Sequence, residues 1–176
     1  RSFKPLELDN GPGGNEEPNP ELTAEQKAKI VLDKLQPFQV VLGKWRGTTL
    51  KKIGQFNSVE DVSWVWDFQT DETQPTLVMA AKSSPYLQQG RLTYLVDEEK
   101  FQFTAVDKEG SELTYIGDFT VPPQDVAAGD NKTVQRSFKL ELKSASPQQQ
   151  QKLVKLVFNQ QENNRYLLEL YNKRDA

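Results

Sequence analysis

The sequence predicts an all-β fold: an up-and-down antiparallel β-barrel of about nine strands, with an N-terminal helix and a polar N-terminal arm. Three observations predict it. In the second expected strand, Val62, Trp64, Trp66 and Phe68 fall on one side and Ser63, Val65 and Asp67 on the other. This period of two is that of a pleated strand. The alternating runs are short and separated by turn residues at hairpin spacing, such as Asp97-Glu98-Glu99, Asp107-Lys108-Glu109-Gly110 and Asn163-Asn164. Helical spacing appears only ahead of the strands. A sandwich would need long crossovers, whereas a meander needs none, and closing it into a barrel removes the exposed edges.

The elements follow in order. Residues 1–22 are a Pro/Gly-rich polar arm, with Pro5, Pro12, Pro18, Pro20, Gly11, Gly13 and Gly14, and with Glu and Asp outnumbering Arg1 and Lys4. Such a composition buries too little to offset chain entropy, so it reads as a spacer, pinned if at all by Phe3, Leu6 and Leu8. The remaining residues, 23–176, form one barrel domain. Thr23-Ala24-Glu25-Gln26 is a capping box, and Ala28, Val31, Leu32 and Leu35 make one apolar stripe, which places a helix at about 23–36. Pro37 ends it or starts a second short helix to Leu42.

The expected strands are 44–53, 59–69, 76–82, 90–96, 100–106, 112–120, 134–143, 152–159 and 165–172. Between them lie turns at 54–57 and 163–164 and loops at 71–75, 122–131 and 146–151.

Composition narrows the function. The chain has 176 residues and a net charge of −3, with no Cys and no His. Without Cys there is no disulfide, thiolate nucleophile or Cys-held metal. Without His there is no Ser–His couple, His-bound zinc or His-bound haem. The expectation is a non-enzyme with no cofactor and no metal. The balanced, slightly acidic charge argues against a nucleic-acid partner. No apolar run reaches the ~20 residues of a membrane span. A removed signal peptide would leave a first residue such as Arg1, so the expectation is a periplasmic or secreted protein, with a cytoplasmic one as the alternative.

The motif at the start of the strands is Leu42-Gly43-Lys44-Trp45-Arg46-Gly47. Gly43-Lys44-Trp45 resembles the Gly-X-Trp that opens the first strand in the calycin superfamily of lipocalins, fatty-acid-binding proteins and relatives. The longer string resembles nitrobindin-like barrels and uncharacterised bacterial lipocalin-like domains more than secreted lipocalins. The resemblance spans roughly residues 37–172. It implies that Trp45 sits at the closed end of the barrel and that an Arg of the last strand, Arg165, packs across its ring. Nitrobindin-type barrels hold haem through a His, which this chain lacks, so that function does not carry over.

Seven aromatics would line the interior if all face inward: Trp64, Trp66, Phe68, Tyr94, Phe103, Tyr115 and Phe138. They serve equally as plain core packing or as the wall of a pocket for a small apolar or amphipathic ligand. Gly43, Trp45 and Arg165 read as barrel closure, with Arg165 or Arg46 as the alternative partner of a ligand carboxylate. The function expected is therefore a lipocalin-like, non-catalytic binding protein. The alternatives are an interaction protein with a filled barrel and, third, an enzyme using Tyr, Lys or Glu at the barrel mouth. Glu60 and Asp61 point to opposite faces of a strand and cannot pair. Asn131-Lys132-Thr133 matches a glycosylation triplet, relevant only in a eukaryotic secreted protein.

Overall fold

The described strands form one sheet in sequence order. A computed structural model describes residues 21–48, 59–127, 134–145 and 153–173. The arm up to residue 20, the end of the first expected strand with its turn, the Asn131 triplet and the loop at 146–151 lie outside the described residues. Helix α1 (Ala24–Leu35) leads into a 3-10 helix (Gln36–Val41). Nine strands follow among the described residues: β1 (Gly43–Thr48), β2 (Val59–Asp67), β3 (Thr76–Ala80), β4 (Leu87–Leu95), β5 (Lys100–Asp107), β6 (Glu112–Ala127), β7 (Val134–Ser144), β8 (Leu153–Glu162) and β9 (Arg165–Asn172). Each is antiparallel to the next, and the sheet curls into a half-barrel.

The helix forms as its sequence dictates. Thr23 Oγ1 accepts from the Gln26 backbone N–H at 3.2 Å, and Gln26 Oε1 accepts from the Thr23 N–H at 2.9 Å. Val31 and Leu35 on its apolar stripe are buried, and Lys34 lies 5.2 Å from the centre of the Tyr94 ring on β4. Gly43 has φ +111°, a conformation costly to any side chain, and there the backbone leaves the 3-10 helix and enters β1.

Period-two alternation sets the core. The concave face carries Trp64, Leu77, Met79, Leu92, Tyr94, Phe101, Phe103, Tyr115, Phe138, Leu140, Leu142, Leu156 and Phe158, all buried in one cluster. Its centre is Phe38 from the 3-10 helix, fully buried. The Phe38 ring centroid lies 4.8 Å from that of Phe138, 5.4 Å from Phe158, 5.8 Å from Phe101 and 5.9 Å from Phe119. One residue of the N-terminal segment thus ties four consecutive strands, β5 to β8, from inside.

Three expectations need correction. The loop expected at 122–131 is strand as far as Ala127: β6 runs through Pro122-Pro123 against β7, with register irregularities between Phe119 and Gln124. Proline breaks a regular ladder but fits a bulge, where its missing N–H is not needed. The fourth strand begins at Leu87, with an irregularity between Leu87 and Gln89, rather than at Gly90. The expected ring of hydrogen bonds is not closed among the described residues, where no ladder joins β1 to β9. Parity explains why this closure is not automatic. In a nine-stranded antiparallel meander the first and last strands run in the same direction, so they could meet only as a parallel pair.

Candidate functional site

Side chains, not ladder bonds, link the two ends of the sheet. The Trp45 ring meets the Tyr166 ring edge-to-face at 5.0 Å, and Trp45 Nε1 donates to the Val41 carbonyl at 2.6 Å. Trp64 Nε1 donates to Tyr166 Oη at 3.0 Å, and Tyr166 stacks on Phe158 at 5.1 Å. Burial pushes the Tyr166 hydroxyl pKa above its usual value, against the lowering effect of the Trp64 hydrogen bond. The partner of Trp45 is therefore Tyr166 and not Arg165, which is exposed. The reason is alternation: neighbours on a strand face opposite ways, so Tyr166 turns inward and Arg165 outward. Arg46 is also exposed and pairs with Asp61 at 3.0 Å on the convex face.

Of the seven expected lining residues, five lie in the packed cluster: Trp64, Tyr94, Phe103, Tyr115 and Phe138. Gly90 makes room for Phe103, since a Cβ there would lie 2.2 Å from the ring. Tyr115 spends its hydroxyl on the Leu153 carbonyl at 3.0 Å. Burial, helped by the charge of Asp107, pushes its pKa up to about 12. Trp66 is only partly buried and Phe68, just past the end of β2, is 50% exposed.

Those two rings belong to a different feature. They stack on each other at 5.3 Å with planes 18° apart. They border a depression of about 490 Å³ that Val65, Asp67, Val78 and Arg91 also line. Its origin is at Gly43. The described pairing of β1 with β2 stops at Gly43 opposite Trp64, so residues 65–67 of β2 pair with β3 alone. Residues from both faces of β2 reach the notch this leaves. Val65, Val78 and Arg91 are in register across β2, β3 and β4, which brings the guanidinium to the same place.

Asp67 holds the notch in shape. Its Oδ1 accepts from the Gln69 and Thr70 backbone N–H groups at 3.0 and 3.1 Å, and its Oδ2 accepts from Thr70 Oγ1 at 2.6 Å and from Arg91 Nη2 at 2.8 Å. The Thr70 hydroxyl, then Arg91, then the two backbone donors hold its carboxyl well below the usual range. No family model, no curated protein and no solved structure matches this chain.

Among the described residues, no cluster of acidic side chains is arranged to hold a metal ion, and no helix is long and apolar enough to cross a membrane. Sequence reasoning missed Phe38, Tyr166 and Arg91. Phe38 sits beside a proline in a short segment without periodicity. Arg91 gains meaning only from the register that sets it beside Asp67. Tyr166 was legible, because strand alternation opposes it to its neighbour Arg165.

Proposed function

We infer that this chain is a non-catalytic binding module that recognises its partner on its surface and not inside a hollow barrel. The observation that supports this reading is Phe38. Its ring occupies the middle of the concave face, where a lipocalin-like ligand would lie, and touches four other rings. The titratable groups point the same way. A general acid or base works best with a pKa near the operating pH. Here the carboxyls of Asp67, Asp71 and Asp125 are held down by hydrogen bonds, first those of Thr70, Thr73 and Arg136 respectively. The Tyr115 and Tyr166 hydroxyls are pushed up by burial.

The experiment is uptake of cis-parinaric acid, an apolar fluorescent fatty acid. The intact protein is expected to show no saturable uptake. Phe38→Ala, which removes the ring from the core, is expected to create a binding cavity, as large-to-small core changes do. One-to-one uptake by the intact protein, with amide shifts at Trp64 and Phe103, would return the function to the barrel interior.

A further inference from the structure

We propose that the notch at the end of β2 is a binding site for a small planar aromatic carboxylate. The inference rests on the surface reading above and names the ligand class for it. A ligand pocket commonly offers about 300–1,000 Å³, mostly apolar, with a few placed polar groups; this depression of about 490 Å³ is open to solvent, lies within that volume range and is mostly apolar in its lining. Its apolar wall is already a stack: Trp66 lies against the core, Phe68 lies over Trp66, and Phe68 remains half exposed. A third ring can therefore meet Phe68, face on or edge on, at the usual aromatic spacing of about 4.5–7 Å. Val65, 55% exposed, adds aliphatic surface beside it.

The polar group is Arg91. A guanidinium carries five N–H donors, and among the described residues Arg91 spends only Nη2, on Asp67. Its Nε and Nη1 remain for an acceptor. Asp67 does not compete for them. Both its oxygens are engaged, by two backbone amides, one hydroxyl and the Arg91 bond itself, and these keep it ionised and fixed. The carboxylate thus orients the guanidinium. An incoming carboxylate would form a charge-assisted hydrogen bond to the free part of the fork, stronger than a neutral amide carbonyl could form. The pair Asp67–Arg91 is neutral as a whole, so ring stacking supplies the affinity and the guanidinium supplies the choice of anion.

The test uses 2-naphthoate as probe and 2-naphthamide as its neutral counterpart, followed by calorimetry and by amide shifts in the intact chain. Naphthoate is expected to bind saturably, to shift Val65 to Gln69, Val78 and Arg91, and to bind more tightly than the amide. Arg91→Gln is expected to weaken naphthoate about tenfold or more and to leave the amide nearly unchanged, the size of one lost charge-assisted bond. Phe68→Ala, a change at a half-exposed ring outside the core, is expected to weaken both. Equal affinity of intact protein and Arg91→Gln for naphthoate would overturn the proposal, as would an absence of saturable binding. Shifts confined to the buried positions Trp64, Phe103 and Phe138 would overturn both this proposal and the surface reading beneath it. An absence of binding overturns this one alone.

Discussion

At the scale of single residues, close packing makes the sharpest claims. A Cβ built on Gly117 would lie 1.8 Å from the Glu141 carbonyl oxygen, which is backbone of β7 and cannot swing aside. Gly117→Ala should therefore cost roughly 3 kcal/mol or more, at the upper end of overpacking, with β6–β7 amides losing protection from hydrogen exchange. Phe38→Ala should cost about 3–5 kcal/mol in denaturant unfolding, because the surrounding rings can close over the gap only in part. Gln160 poses the opposite case. It is buried, its Nε2 donates to the Glu162 carbonyl, and its Oε1 finds no donor among the described residues. Replacing it with an apolar group of similar shape removes a desolvated acceptor and takes a donor only from the carbonyl of Glu162, an exposed residue, so Gln160→Met should leave the melting temperature unchanged or raise it.

At the scale of elements, the ends of strands and helices carry the meaning. The capping box at Thr23 is exposed and self-contained. Thr23→Ala should weaken α1 by about 1 kcal/mol, visible as lost helical signal before the sheet melts. The junction at Gly43 matters differently. Nothing lies within 4 Å of a Cβ there, so only the positive φ resists substitution. A side chain at that φ costs of order 1–3 kcal/mol, which falls on the turn between the 3-10 helix and β1. That turn both delivers Phe38 to the core and leaves the end of β2 unpaired. The segment that places Phe38 on the concave face is thus followed directly by the strand whose pairing ends opposite Trp64.

At the scale of the whole molecule, alkaline pH tests the core. The Tyr115 hydroxyl has its pKa raised from 10.0 to about 12 in the folded chain. The folded state therefore holds its proton where the unfolded state has released it. The resulting stability is complete below pH 10 and is lost as pH rises to about 12. Tyr166 adds to the same slope by its direction. Urea midpoints should fall across this window, and Tyr115→Phe should flatten the fall. Acid acts through the opposite sign. The Asp67, Asp71 and Asp125 carboxyls are held down, so what they contribute is present above their ordinary values near 3.8 and fades as pH drops below.

What the sequence determined by itself was local and periodic. Alternation at Trp64, Tyr94, Phe103, Tyr115 and Phe138 marks the buried face, because a strand has only two sides. Thr23 to Gln26 marks the helix start, because its hydrogen bonds span only three residues. The last strand, 165–172, falls where Asn163-Asn164 turns the chain. Tertiary structure alone decided the rest. Whether the aromatic face encloses a void or is filled depends on where Phe38 lands, and Phe38 reaches residues more than sixty positions away. The notch depends on β1 stopping opposite Trp64 and on a three-strand register that carries Arg91 to Asp67. Neither is written in any short stretch, because both are set by free energies of packing shared among distant segments.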